Sequence, residues 1–439
     1  MRNNNGKDTR NVNPNTNPIK IIVLGAGQRG AEAYAPYALD NPQDVQIVGV
    51  AEPRDDRRER FAQTFSLPEE NVYASWQELL KRERFADAVI VATQDKEHYA
   101  PVMKALEKGY HVLCEKPMSP DPAECIRMAQ AAKKYDRKLS VCHVLRYTPF
   151  FTQIKKIIDA GIIGEVMGIT LTENVAYWHQ AHSYVRGNWR NSKESSPMIL
   201  AKSCHDLDIL LWLIGDKCTQ VSSYGHLTHF RPENAPEGAP ERCLDGCPHR
   251  NECPYYAPHI YIEWKDAWQA AVIRKVVSLD TSPAGLTNAL RTGPYGRCVY
   301  HCDNDVVDHQ VVNLDFEHGA TAAFTMTAFA NDEGRVIKVM GTKGEIIGEA
   351  ANDIIRYVTY LDQTRHEIKV HPAGGHMGGD DGIMQDFVRM LREHDVGGGR
   401  TSAEKSVESH LLALAAEKSR VEGCNVRMDE YERELKQNG

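Results

Sequence analysis

A two-lobed α/β chain is what this sequence predicts: an N-terminal doubly wound parallel sheet, then an α+β domain carrying a large, mostly antiparallel sheet. Three observations lead there. At 439 residues the chain exceeds what one ordinary core supports, so two domains are the default. Between residues 20 and 145, short apolar runs alternate with amphipathic segments, as strands alternate with crossover helices in a parallel sheet. Beyond about residue 150 the β-rich runs lengthen and that alternation stops, which marks α+β.

Taken in order, residues 21–25, 46–51, 88–93, 111–114 and 138–142 read as buried parallel strands, with helices between them. Asp121, with Pro122 at the first helical position and Glu124 three residues past the cap, starts one of those helices. In the second lobe, residues 166–175, 309–316, 320–328 and 335–340 read as strands, and 321–329 alternates as a sheet with one covered face does. Gly341-Thr342-Lys343-Gly344 is a turn between two of them. Near the C-terminus Val407, Leu411, Leu414 and Ala415 share one helical face, which should pack back onto the body. The expected division is a disordered leader over 1–18, a dinucleotide-binding domain over 19–148, and a substrate and oligomerisation domain over 149–439 with a Cys-rich insertion at about 231–305. The broad second sheet offers a surface through which a homo-oligomer would form.

Composition removes several function classes. With 52 basic and 60 acidic residues the net charge is −8, which argues against nucleic acid or an anionic membrane as partner. No stretch approaches ~18 uninterrupted apolar residues, so nothing spans a bilayer as a helix. The Asn-rich leader lacks the apolar core of a signal peptide, and eleven cysteines, an odd number, read as reduced thiols or metal ligands, so a cytoplasmic protein is expected.

The first chemical motif is Gly25-Ala26-Gly27-Gln28-Arg29-Gly30 at the end of an apolar strand. Glycines let the backbone approach a pyrophosphate, and the N–H groups of a helix start meet its charge. Glu52, closing the next apolar run, stands at the offset where an acid accepts hydrogen bonds from a ribose diol. Arg54, Arg57 and Arg58 follow it and would attract a 2′-phosphate that Glu52 would repel, so NAD is favoured over NADP.

Together with Thr93-Gln94-Asp95, His98 and Cys114-Glu115-Lys116-Pro117, these residues make the chain resemble the glucose-fructose oxidoreductase / inositol dehydrogenase / MocA family, over nearly its whole length from about Lys20. The resemblance implies that Gly25, Gly27, Gln28, Arg29, Gly30, Glu52, Thr93, Gln94, His98, Glu115 and His143 surround the cofactor. It also implies that Lys116 reaches both the nicotinamide ribose and the substrate hydroxyl, and that Pro117 is cis. Independently of the family, hydride transfer from a carbinol carbon requires loss of the hydroxyl proton, so a base must stand beside the cofactor, and a desolvated lysine can serve.

The second signature is Lys202-Ser203-Cys204-His205-Asp206-Leu207-Asp208, opening an apolar helix. His205 matches the family histidine that works with the lysine. Many family members carry an Asp four residues before this His; here that position is Ala201, with Lys202 beside it. A cation there could anchor an acidic or polyhydroxylated substrate. Further substrate contacts are expected from Arg146, Tyr177, Trp189, Arg190 and His376, with Asp380 also considered.

In the Gly/Pro-rich stretch after Arg231, Cys243, Cys247 and Cys253 with Cys298 as a fourth ligand would form a structural zinc site. Cys302, His249 and His259 rival Cys298, and an iron–sulfur cluster has the same ligand demand. The function expected is an NAD(H)-dependent oxidoreductase acting on a secondary hydroxyl of a sugar, glycoside or cyclitol. The alternative is a glycoside hydrolase or lyase that keeps NAD bound, oxidises a ring hydroxyl transiently and eliminates the aglycone.

Overall fold

A computed structural model describes residues 17–264, 268–372, 374–393 and 399–438. All but the last two residues of the expected leader lie outside that range. Six strands, β1 (Ile19–Leu24), β2 (Val45–Ala51), β3 (Val72–Tyr73), β4 (Ala88–Val91), β5 (His111–Cys114) and β6 (Leu139–Val141), form the first sheet in the order 3-2-1-4-5-6. Every pairing in it is parallel. Five of these strands follow from the apolar runs; β3 does not, because its two residues are only half-buried and carry no run of their own. The strand order reverses between β1 and β4, and at such a switch point the carboxyl ends of neighbouring strands open a crevice.

The second sheet has nine strands: β7 (Val166–Ala176), β8 (Cys218–His226), β9 (His309–Phe316), β10 (Thr321–Ala330), β11 (Gly334–Gly341), β12 (Gly344–Glu349), β13 (Ile354–Thr359), β14 (Arg365–Lys369) and β15 (Val426–Arg427). β7 and β10 pair in parallel and the other neighbours antiparallel. The inner face carries Ile169, Leu171, Phe324, Met326 and Ile337 into the core beneath helix α1 (Cys204–Ile214). On the other face Tyr224, Val311, Val336 and Ile347, placed together by register, stand exposed.

Two late helices complete the first lobe, and the second of them also joins it to the other lobe. In α2 (Gly379–Arg392), Ile383, Met384 and Phe387 join the core of the first sheet beside Ile21, Val23 and Ile90. In α3 (Ala403–Glu422), Ala403 belongs to the opposite core of the first sheet, while Leu411, Leu412 and Ala415 belong to the core of the second. The predicted helical face therefore packs as expected, with Leu411 and Ala415 buried and Val407 and Leu414 against them. Just before α3, Val141 donates its N–H to the Thr401 carbonyl at 2.8 Å, so the chain extends the edge of the first sheet.

Candidate active site

The crevice at the carboxyl ends of the first sheet collects the predicted cofactor residues, each one to three positions past a strand: Gly25 after β1, Glu52 after β2, Thr93 and Gln94 after β4, Glu115 and Lys116 after β5, and His143 after β6. The three glycines do different work. Gly25 has φ +92°, and a Cβ there would lie 2.4 Å from the Ala92 carbonyl oxygen; one on Gly30 would lie 2.0 Å from the Gly25 oxygen. A Cβ on Gly27 would meet only a guanidinium nitrogen of Arg57, at 3.5 Å. Gly25 and Gly30 thus close the turn, while Gly27 leaves open space above the N-terminus of the helix Gln28–Tyr34. That space and the N–H groups at the helix start fit a dinucleotide pyrophosphate.

Glu52 is buried and accepts from the N–H groups of Ala26 (2.8 Å) and Arg54 (3.0 Å), so it fixes the glycine turn and keeps lone pairs to spare. Arg54 turns its side chain to Asp56 (2.6 Å), and Arg58 donates to the Glu52 carbonyl (2.8 Å) and to Asp55. His98 is buried with one ring nitrogen 2.7 Å from the Pro117 carbonyl and the other 3.0 Å from that of Thr93, tying the β4 loop to the β5 loop. The Lys116–Pro117 bond is cis.

Arg29 points away from the glycine loop into a cluster that sequence reasoning did not assemble. Its guanidinium meets Glu115 (2.5 Å) and Asp380 (2.8 Å) and lies 2.9 Å from His376 Nδ1, while Tyr34, itself an acceptor of Arg29, donates to Glu115 at 2.5 Å. Burial alone would raise the Glu115 carboxyl, but Arg29 and Lys116 outweigh it and hold it below its ordinary value. His376 is therefore engaged with Arg29 and Asp380, in a strained loop where it and Met377 both have positive φ.

Lys116 crosses to the other lobe and donates from Nζ to the Ala201 carbonyl at 2.8 Å. Ala201, where the family resemblance implies an acid, thus meets Lys116 through its backbone oxygen. Four residues on, His205 is buried, its Nδ1 without a hydrogen-bond partner among the described residues. Burial, then the charge of Lys116, pushes its imidazole well below the usual histidine value, which keeps the ring neutral.

Several expected substrate residues are committed elsewhere. Arg146 is locked bidentate onto Asp208, both distances 2.7 Å, in a buried pair. Trp189 donates its indole N–H to Asp95 at 3.1 Å; Asp95, which also accepts from Ser195 (3.1 Å) and Ser196 (2.5 Å), clasps the two lobes. Arg190 is bidentate to Asp303 at 2.9 and 3.0 Å, anchoring the insertion. Tyr177 packs edge-on to Tyr255, ring centroids 6.1 Å apart. His143 is fully buried behind His205, ring centroids 5.9 Å apart, because the chain after β6 turns inward against α3; burial lowers it to about 4.

Lys202 does not present a free cation. It lies 3.2 Å from Glu173 and 3.3 Å from Glu333, and the charge of those carboxylates outweighs burial and raises it. Glu173 in turn meets Arg335 at 2.9 Å, and Arg335 meets Asp206 at 2.7 Å. Glu173 and Arg335 are a cross-strand pair of β7 and β11, and each places an ionisable side chain on the inner, otherwise apolar face, where burial raises the Glu173 carboxyl. That break in the strand pattern was the signal available in the sequence.

The cysteine loop corrects another expectation. All eleven cysteines are free. Among the described residues the one set of three His, Cys, Asp or Glu ligand atoms lying within 4.8 Å of one another is Asp216, Glu317 and His318, so Cys243, Cys247, Cys253 and Cys298 do not converge on a zinc tetrahedron. Their loop draws its order from an apolar cluster containing Phe230, Tyr255, Tyr261 and Cys243 itself. Within it, the buried guanidinium of Arg186 donates to the carbonyls of Arg297 (2.8 Å) and Tyr255 (2.7 Å).

Fold and site together define a two-lobed oxidoreductase with a dinucleotide-binding lobe. The sequence model of the oxidoreductase family with NAD-binding Rossmann fold matches residues 19–143, and that of the family's C-terminal alpha/beta domain matches residues 155–423. The chain belongs to the Gfo/Idh/MocA oxidoreductase family. YteT of Bacillus subtilis (strain 168), grouped by name with the oxidoreductases, is 26% identical over 88% of this chain and 93% of its own length. A 2,7-anhydro-N-acetylneuraminate hydratase of Escherichia coli (strain K12) is 28% identical over 49% of this chain and 55% of its own. Among solved structures, levoglucosan dehydrogenase in complex with NADH and levoglucosan aligns with a TM-score of 0.70 at 18% identity, covering 94% of this chain and 99% of that one, a likeness of fold.

Proposed function

We propose that the protein is an NAD(H)-dependent oxidoreductase acting on a secondary hydroxyl of a sugar, glycoside or cyclitol. The observation that carries this reading is Lys116 reaching from the dinucleotide lobe to the Ala201 carbonyl, one helical turn before a neutral, buried His205. A bound nicotinamide would supply the hydride acceptor for the carbinol carbon, so the chain's own residues must handle the hydroxyl proton. Lys116 holds the reacting oxygen, and His205, without a carboxylate partner among the described residues, receives the proton as a neutral base. Gly27 and the helix start behind it would hold the pyrophosphate, and Glu52 the ribose. NAD is favoured over NADP because Arg54 and Arg58 are already engaged by Asp56 and Asp55. Eleven free thiols suit a reducing, cytoplasmic setting. The exposed face bearing Tyr224, Val311, Val336 and Ile347 suits a second copy of the chain, which light scattering would report as a dimer or larger.

The test is NADH absorbance with myo-inositol, levoglucosan and a panel of glycosides; no reduction of NAD by any of them would refute the reading. A second reading, redox-neutral cleavage of a glycoside or ether with NAD retained, is favoured by Ala201 in place of the usual acid and by the relative named a hydratase. Release of aglycone without net NADH would identify it.

A further inference from the structure

The second lobe holds a histidine–carboxylate pair that hydride transfer leaves unused. His179 lies three residues past the end of β7, and Glu333 stands in the turn between β10 and β11. β7 and β10 run parallel, with Ala176 paired to Ala330, so both side chains arise at one end of the sheet. His179 Nδ1 donates to a Glu333 oxygen at 2.6 Å. Among the described residues its other ring nitrogen has no hydrogen-bond partner, and the two side chains are 22% and 30% exposed. Stacking on Trp178, centroids 5.5 Å apart and planes 19° apart, fixes the ring.

This pair is connected to both residues of the hydride-transfer site. The Glu333 oxygen that accepts from His179 is the one 3.3 Å from Lys202, the neighbour of Ala201, whose carbonyl holds Lys116. Through Glu173 and Arg335 the same chain of charges reaches Asp206, the neighbour of His205. Two cations, Lys202 and Arg335, face Asp206, Glu333 and Glu173, and burial raises the Glu173 carboxyl to about 7. Burial would raise Glu333, but His179 and Lys202, both bonded to it, overcome that and keep the carboxylate ionised, as an orienting partner must be.

We propose that His179, oriented by Glu333, is a second proton-transfer group of the cleft, which takes a proton from the carbon next to a substrate carbonyl. The inference rests on the sugar or cyclitol reading above, whose product is such a ketone. The C–H bond breaks, its proton moves to His179 Nε2, and its electron pair becomes the double bond of an enolate whose oxygen faces the Lys116 ammonium. Returning the proton restores the ketone. Where an ether or glycosidic oxygen stands on the carbon beyond, the enolate expels it with the C–O electron pair, and the same proton caps the leaving oxygen. The substrate class is then a sugar or cyclitol bearing a substituent two carbons from the oxidised position.

The experiment offers the ketone directly, so no hydride step is needed: 2-keto-myo-inositol and methyl 3-keto-glucoside, each with the full-length protein in D2O, followed by proton NMR. The parent protein is expected to wash deuterium into the position beside the carbonyl, His179→Gln to slow this at least tenfold, and Glu333→Gln to slow it and shift its pH profile. Unchanged thermal melting of the variants separates this loss from misfolding, and 15N NMR of the His179 ring, with the proton on Nδ1 in the parent and mixed tautomers in Glu333→Gln, reads the pair without turnover. Absence of exchange by the parent protein, or undiminished exchange by His179→Gln, would overturn the proposal. NADH formation from myo-inositol, measured separately, tells whether the oxidoreductase reading stands without it.

Discussion

At the scale of single residues, the proposed chemistry depends on two groups, Lys116 and His205, that the two lobes bring to either end of one helical turn. Lys116→Ala is expected to lower kcat by about 10²–10⁴-fold while leaving NAD affinity, read by fluorescence titration, within a few-fold, because in the proposed reaction Lys116 holds the reacting oxygen, whereas the glycine crevice is built without it. Buried histidines set a second expectation. His143 is lowered to about 4, and His182 and His410 to about 3, by burial first, against roughly 6.5 in an unfolded chain. The folded protein therefore binds fewer protons than the unfolded one, so this stability is complete above about pH 6.5 and is lost as pH falls toward about 4. The urea midpoint should hold steady above pH 7 and decline through that window; a flat midpoint would contradict the buried, neutral state. Lys116 and His205 were legible in the sequence as motif residues. The roles of Glu173, Glu333 and Arg335 were not, because a charged side chain inside a strand reveals its partner only when the register is known.

Elements show why some motifs read well and others misled. The strand, glycines and acid of the cofactor crevice lie within one βαβ unit, where local spacing fixes geometry. Within it the glycines should separate experimentally. Gly27→Ala has room and is expected to fold with an unchanged melting temperature but to bind NAD at least tenfold more weakly, about 1.4 kcal/mol, whereas Gly30→Ala forces a Cβ against the Gly25 carbonyl and should lower the melting temperature itself. Equal melting of the two would remove the distinction. Arg146, Trp189 and Arg190 were placed at the substrate from their type and neighbourhood. Their actual partners Asp208, Asp95 and Asp303 are 62, 94 and 113 residues away in sequence, and no local pattern announces such pairings. The cysteine loop misled for a related reason: spacing allowed a metal, but the aromatic cluster that orders the loop is gathered from β7 to the residues beyond Cys298.

For the whole molecule, the decisive feature is that both lobes are finished by the last sixty residues. Ile383, Met384, Phe387, Val388 and Met390 of α2 fill one core of the first sheet, and Ala403 of α3 touches the other. A fragment limited to the residues that carry the glycine and Glu-Lys-Pro motifs would leave that apolar surface bare. Expressed as residues 17–148, it should be insoluble or bind NAD at least tenfold more weakly than the full chain, with recovery on co-expression of residues 374–438; a soluble, fully binding fragment would show the late helices to be dispensable. During synthesis the same arrangement has a temporal meaning. The nucleotide lobe leaves the ribosome first but must wait for nearly the entire polypeptide before its hydrophobic interior can close. Coenzyme capture thus becomes a late event in the birth of the protein, and a nascent chain stalled short of α2 would be a ready target for chaperones and proteases.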